Sequence, residues 1–328
     1  MKILITGANG YIGSNLAAAL SKQSIDVKAL VRKTSDLKSL KDVPVELVYG
    51  DITDSNSLDE ALQSCELVIH TAGAVTDWGP KEYFNAHNVE GLKNVTRAAH
   101  AAGVKRLVHI STVAIYGFNV KNATEDFPKP DSQVGYTITK LAGSKWLTAF
   151  AAETPMEIVQ INPGNVFGPG DEKFIKAYLD VIVKNQFVFV NGGLSATCPT
   201  YIENLVHGII LAVHHPQAAG KTFNITDGLD INWRTFTNAF YLALGKKPIL
   251  RSVPYGVVYA LAHGLELGYQ LFGIEKPPLL TRYRIDNAGK DYHFSIEKAI
   301  NILGYQPVID FDTAVRRTTE WYKNLKPK

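Results

Sequence analysis

Lys2-Ile3-Leu4-Ile5-Thr6-Gly7-Ala8-Asn9-Gly10-Tyr11-Ile12-Gly13 decides the reading of this chain. Residues 2–6 are apolar on successive positions, the pattern of a strand covered on both faces. They run straight into Gly7, Gly10 and Gly13, and a helical pattern follows over 12–23. Glycines at these places allow a tight turn, close approach of backbone to a pyrophosphate, and close packing of helix on strand. The helix start offers free N–H groups and the positive end of its dipole to phosphate. The same glycine spacing occurs in ordinary strand–helix turns, so its weight comes from its surroundings.

Those surroundings repeat the rhythm. Strands are predicted over 26–31, 45–49, 67–70, 106–110, 157–162 and 221–226. Helices are predicted over 56–62, 88–102, 136–153, 174–183 and 203–213. Such alternation predicts an α/β fold, a doubly wound parallel sheet of Rossmann type. Gly164, Gly168, Pro169 and Gly170 then form a loop rich in breakers. From Asp230 onward the pattern is mostly helical. We expect a dinucleotide-binding domain from 1–165 plus about 200–228. A smaller, mostly helical substrate-binding domain would take about 166–199 and 229–328.

Composition narrows the function classes. The chain has 328 residues, 46% of them hydrophobic, enough for a sizeable core. Its formal net charge is only +3 and it has no basic run, which argues against a nucleic-acid partner. The two cysteines, Cys65 and Cys198, make neither a disulfide framework nor a metal site and suit a reducing compartment. The nine histidines are scattered, with His214-His215 the one adjacent pair, so no metal is expected. Met1–Thr6 is too short for a secretory signal and runs into glycine. Tyr255–Gly273 is interrupted by His263, Glu266 and Gln270, short of the roughly 18 apolar residues of a membrane span. A cytoplasmic location is the expectation.

Tyr136-Thr137-Ile138-Thr139-Lys140 places Tyr136 and Lys140 on one helix face. A phenol normally titrates near pH 10, and an adjacent ammonium favours its ionised form, which opens acid–base work near neutrality. The spacing is common by chance, and Tyr322 and Lys326 repeat it. That second pair is read as a frayed terminal surface. Ser111-Thr112 favours the first pair, because it ends the strand 106–110, at the sheet edge where α/β folds bind ligands.

The constellation resembles the extended short-chain dehydrogenase/reductase superfamily, of the NAD-dependent epimerase/dehydratase type. The resemblance spans nearly the whole chain. It is carried by Thr6-Gly7…Gly10…Gly13, Asp51-Ile52, His70-Thr71-Ala72-Gly73, Asn88-Val89-Glu90-Gly91, Ser111-Thr112…Tyr116-Gly117, Tyr136…Lys140, Pro163-Gly164-Asn165-Val166 and Tyr201-Ile202-Glu203-Asn204. The resemblance implies that Gly7, Gly10, Tyr11, Ile12 and Gly13 line the pyrophosphate and that Asp51 and Ile52 flank the adenine. It also implies that Ala72 and Gly73 border the ribose and nicotinamide, and that Pro163–Val166 touch the nicotinamide. Tyr136, Lys140 and Thr112 would be the catalytic residues, with Lys140 holding the ribose and lowering the Tyr136 pKa.

Within the superfamily, dehydratases carry two acids after the catalytic hydroxyl, where this chain has Val113 and Ala114. Nucleotide-sugar epimerases usually place Arg-Asp before the Thr200–Asn204 segment, where this chain has Thr197 and Cys198. A diphosphate would lose a bidentate partner there, unless Arg282 or Arg284 replaced it. The branch that fits best resembles 3-beta-hydroxysteroid dehydrogenases, which implies hydride transfer between nicotinamide and a ketone or secondary alcohol on a bulky apolar substrate. A nucleotide-sugar epimerase and a non-catalytic NADP-binding regulatory protein are the alternatives. NAD-preferring members place an acid at the end of the second strand. Here Val31 is followed by Arg32 and Lys33, which predicts NADP over NAD. Expected pocket walls are Trp78, Val113 and the segments after Gly168 and Val253. The segment 253–272 would bring Val257, Val258, Leu261, Leu265 and Leu271 to the substrate or to a membrane surface, or would be a plain core helix. A homodimer is a further expectation from the resemblance.

Overall fold

The computed structural model describes residues 1–130 and 134–325. Strands β1 (Lys2–Thr6), β2 (Asp26–Val31), β3 (Glu46–Tyr49), β4 (Leu67–His70), β5 (Arg106–Ile110), β6 (Glu157–Pro163) and β7 (Thr222–Ile225) form one sheet. Its seven strands lie in the order β7-β6-β5-β4-β1-β2-β3, and every pairing is parallel. Ile3 faces Val27 on one side and Leu67 on the other. Successive side chains point to opposite faces, and both faces are covered. Ile3 and Ile5 join one core with Leu16 and Leu20 of α1 (Tyr11–Ser21). Leu4 joins another with Leu92 and Val95 of α2 (Gly91–Ala101) and Leu147 of α3 (Gly135–Glu153). The first core also takes Leu205 and Ile209 of α4 (Ile202–His214). The sheet is therefore doubly wound, as the alternation predicts.

Two predicted helices are subdivided. The 56–62 segment splits into a 3-10 turn at Ser55–Ser57 and a short helix at Asp59–Leu62, with the Asp54 carboxylate capping Asn56 N–H. The 88–102 helix begins earlier, as a helical turn at Lys81–Asn85 and a π-turn at Ala86–Glu90.

A separate aromatic-rich core gathers Phe167, Leu179, Trp233, Phe236, Phe240, Val315 and Tyr322. It lies between the helices Ile175–Val183, Trp233–Ala243 and Phe311–Asn324. Tyr322 belongs to this core, so the frayed terminal surface expected for it is incorrect. Its hydroxyl bonds Asp180 and only 2% of it is exposed, because the amphipathic helix 311–324 turns it inward. Lys326 lies outside the described residues. Ile296, Ala299, Leu303 and Tyr305 leave this core and pack with the sheet instead. Among the described residues no helix is long and apolar enough to cross a membrane.

Two buried polar side chains lock α4 in place. Arg106 donates through Nη1 to the carbonyls of Ala212, Val213 and His215 and pairs with Glu157 at 2.6 Å. These carbonyls end α4 and have no intrahelical partner. Asn204 accepts from Val308 N–H and Ile309 N–H at 2.9 and 2.8 Å. It donates to Asp227 Oδ1 at 2.8 Å and to Ile309 O at 2.9 Å. Every hydrogen-bonding position of that buried amide is thus used. Asn204→Ala strands several buried groups at once. It should cost about 3 kcal/mol and lower the thermal midpoint by about 4 °C. A midpoint within 1 °C of the parent by calorimetry would show that Asn204 is not the clip described.

Candidate active site

β1 and β4 are neighbours, and their chains depart to opposite faces, which opens the crevice where such sheets bind ligands. The glycines there are sterically required. Gly7 has φ +66°, and a Cβ on it would lie 2.8 Å from Ala72 Cα. A Cβ on Gly13 would lie 2.4 Å from Gly7 O. Gly10 stands at the N-cap of α1 without a side-chain cap, so the first-turn amides face outward free of one. That cradle fits a pyrophosphate. Ile12 packs against the sheet core, and Tyr11 turns its ring toward Gly168, with its hydroxyl 2.9 Å from where a Gly168 Cβ would be. A phosphate in this cradle would therefore meet their backbone rather than their side chains.

Around the crevice, Val31 is buried while Arg32 and Lys33 just beyond β2 are exposed, and neither pairs with an acid among the described residues. Burial pushes the Asp51 carboxyl up, but bonds from Thr53 N–H and Oγ1 and the charge of Arg32 outweigh this and hold it below its usual range. Ile52 is buried against Gly91 at the start of α2. Gly73 brings its backbone beside Lys140, whose Nζ lies 3.6 Å from where a Cβ would be. Pro163 ends β6, and Val166 pairs with Thr200 in a short outer ladder at the same sheet edge.

The catalytic candidates meet at that edge. Thr112 caps the 3-10 turn Val113–Tyr116, its Oγ1 accepting from Ala114 N–H at 3.1 Å. Ser111 is tied to Ser144 at 3.0 Å, so Thr112 is the hydroxyl that meets Tyr136. Lys140 does not lower the Tyr136 phenol as expected: burial raises it, and only its hydrogen bond with Thr112 works against that rise. Tyr136 is therefore protonated at neutral pH, the form that donates. Lys140 is fully enclosed, donates to Ile110 O at 2.8 Å, and is pushed down to about 8 by burial. His70 and His109 stack beside it, with ring centroids 5.4 Å apart. Burial, then the Lys140 charge, holds both neutral, His70 at about 3.

Asn88 is a positioning residue that sequence reasoning placed in a motif but not in the site. Its amide accepts from Ala74 N–H at 2.8 Å and donates to Ala74 O and Thr139 Oγ1, each at 3.1 Å. It thereby clamps the loop after β4 to α3, one residue from Lys140. The legible signal is a polar Asn88 on the same helical face as Leu92, Val95 and Ala99. The π-turn gives it the reach.

A cavity of about 1230 Å³ opens beside Gly135, lined by Trp78, Phe84, Phe118 and Tyr283 and by α5 (Tyr255–Leu271) and α6 (Arg282–Gly289). Trp78 forms a wall as expected and donates from Nε1 to Ile274 O at 3.1 Å. Val113 does not line it. It is fully buried in a cluster with Ile115 and Cys198, and Ala114 takes the wall position. The segment after Gly168 contributes no wall either, because its side chains turn into the aromatic core. The walls also carry charge. On the wall Arg282 is bound by Glu266 and Lys290 by Asp286 at 2.8 Å, and just outside it Arg284 is bound by Asp77 at 2.8 Å. The segment 253–272 is no plain core helix, since only Ala262 and Glu266 of α5 are buried. Tyr259, Glu266 and Tyr269 face the cavity, while Val257 and Leu271, 65% and 82% exposed, face outward.

Comparison with known proteins gives the family. The model of the NAD dependent epimerase/dehydratase family matches residues 3–226. The chain is 29% identical over 339 residues to the sterol-4-alpha-carboxylate 3-dehydrogenase, decarboxylating, of Mus musculus, covering 99% of this chain and 92% of that one. It is 29% identical over 344 residues to a 3-beta-hydroxysteroid dehydrogenase of Mycolicibacterium neoaurum, with coverage of 99% and 92%. The crystal structure of gox2253 superposes with a TM-score of 0.84 at 26% identity, over 98% of both chains. The chain belongs to the NAD-dependent epimerase/dehydratase family, the extended short-chain dehydrogenase/reductases, enzymes that act on CH–OH groups.

Proposed function

We propose that the chain is an NADP(H)-dependent oxidoreductase acting on a ketone or secondary alcohol of a bulky apolar substrate. One observation carries the choice of substrate. The cavity beside Gly135 is rich in aromatic rings, its lining arginine Arg282 is already neutralised by Glu266, and the neighbouring Arg284 is neutralised by Asp77. A nucleotide-sugar diphosphate would need an unpaired cation there, or would have to break a partly buried ion pair. Apolar carbon gains about 25 cal/mol per Å² on burial and needs no such partner. The sterol and steroid dehydrogenases at 29% identity support the same choice.

The residues divide the work as follows. Thr112 Oγ1 accepts from Ala114 N–H and is hydrogen-bonded with Tyr136, so its hydroxyl stands where it would turn its proton to the reacting oxygen once substrate is bound. Tyr136, protonated, gives its phenolic proton to that oxygen during reduction and takes it back during oxidation. Lys140, anchored by Ile110 O, keeps further N–H groups for a ribose hydroxyl. When bound, the nicotinamide supplies or accepts the hydride. Arg32 and Lys33 would hold a 2′-phosphate, and the absence of an acid at Val31 removes the usual partner of a 2′-hydroxyl. Residues 1–165 with 200–228 would hold the cofactor and the remainder the substrate. The intact Tyr136, Lys140 and Thr112 set favours an enzyme over a regulatory protein. The outward apolar face of α5 supports a peripheral contact of 253–272 with a membrane surface or a second copy.

Three outcomes are expected. Tyr136→Phe should lower turnover by about 10²–10⁴-fold with unchanged NADPH affinity, while Lys140→Ala lowers both. Near-normal turnover in Tyr136→Phe would place the proton donor elsewhere. In a fluorescence titration NADPH should bind at least about tenfold tighter than NADH, or 1.4 kcal/mol, and Arg32→Ala should erase the difference. Equal affinities in the parent would refute the cofactor assignment. In calorimetric competition on the NADPH complex, a 3-ketosteroid should bind and UDP-glucose should not. Micromolar UDP-glucose binding with no apolar ketone bound would favour the epimerase.

A further inference from the structure

α6 carries a second phenol to the substrate cavity, and the chemistry above does not use it. Thr281, the N-cap of α6, donates from Oγ1 to Asp77, and Arg284 donates to the same carboxylate at 2.8 Å. The first turn of α6 is thereby fixed to the loop after β4, the loop that also carries Ala72 and Gly73. Between these two anchors sits Tyr283. Its ring lies edge-on to Phe118 with centroids 5.2 Å apart, and Phe118 packs on Tyr292 at 5.1 Å. The ring is therefore held rigidly against the cavity wall.

The hydroxyl is in a different position from the ring. It opens onto the cavity, near the Tyr136 phenol, the Asp77 carboxylate and the Cys198 thiol, and it has no hydrogen-bond partner among the described residues. Asp77 is already taken by Thr281 and Arg284. A phenylalanine would give the same ring packing, so the hydroxyl adds nothing to the wall itself and is left to bond whatever fills the cavity. Tyr136 and Thr112 already serve the reacting oxygen. A donor facing the same volume from a different element suits another oxygen of the same molecule.

We propose that Tyr283 is a specificity-determining residue that donates a hydrogen bond to a second oxygen of the substrate, close to the reacting carbonyl. The site then selects ketones with a neighbouring oxygen, such as β-keto acids and esters, over simple ketones. A site built around such a donor discriminates strongly against an analogue that lacks the acceptor. This rests on the oxidoreductase reading and names its substrate class more closely.

The test uses two probes of equal chain length, ethyl 3-oxodecanoate and 6-tridecanone, with NADPH. The parent should prefer the keto ester. Tyr283→Phe, which keeps the ring packing, should raise KM for the keto ester about 10–100-fold with kcat within threefold. KM for 6-tridecanone, NADPH affinity and the thermal midpoint should stay unchanged. A purely structural tyrosine would move both probes alike, and that result overturns the proposal, as does an unchanged keto ester KM. Calorimetric binding of both probes separates this inference from the reading beneath it. If the parent reduces neither probe but binds the keto ester at least tenfold tighter, and Tyr283→Phe abolishes the difference, Tyr283 has its role and the oxidoreductase reading fails. If the parent reduces 6-tridecanone as well as the keto ester, the reading stands and the role of Tyr283 is refuted. If neither probe is reduced nor bound with preference, the proposal for Tyr283 is refuted.

Discussion

At Gly7 the end of β1 passes so close to Ala72, beyond the end of β4, that any side chain would put its Cβ 2.8 Å from the Ala72 backbone. The rest of the site depends on this approach. It lets β1 and β4 run side by side while their following segments part to opposite faces of the sheet. The first-turn amides of α1 then stand at the crevice, and the loop carrying Ala72 and Gly73 forms its other wall. Gly13 makes a second such contact, with Gly7 O, and so fixes how closely α1 lies on the strands.

Two further clamps carry the geometry from the crevice to the substrate cavity. Asn88 joins the loop after β4 to α3, which sets Lys140 and Tyr136 relative to that loop. Asp77, a few residues further along the same loop, binds Thr281 and Arg284 at the start of α6. One loop therefore touches the glycine turn after β1, the helix that carries Tyr136 and Lys140, and the cavity wall. The bonds of Asn88 and of Thr281 are buried or half-buried, where water competes with them least, while that of Arg284 is exposed.

Electrostatics follows from the same packing. Lys140 is a lone enclosed cation whose neighbours are the neutral rings of His70 and His109 and the carbonyl of Ile110. No carboxylate pairs with it among the described residues, which leaves its remaining donors for a ligand. The cavity shows the opposite arrangement. Its lining cations, Arg282 and Lys290, are each matched with an acid, so the walls are polar but offer no unpaired cation among the described residues. These two environments suit a cofactor hydroxyl at one end and a neutral or weakly charged skeleton at the other.

The sequence by itself determined what depends on neighbours along the chain. Strands 2–6, 26–31, 67–70 and 106–110 coincide with their apolar runs, because residues covered on both faces must be apolar in succession. The glycine turn and the Tyr136–Lys140 face were legible for the same reason, since their spacing alone sets their geometry. Partnerships across long separations were not legible. Nothing local marks Asn88 as the partner of Thr139, 51 residues away, or Thr281 as the partner of Asp77, 204 residues away. The burial of Val113, the inward turn of Tyr322 and the pairing of Arg282 with Glu266 also waited on packing. Only tertiary structure decided which face of α5 lines the cavity. A helical period shows that two faces exist, but what lies opposite each depends on elements far away in the chain.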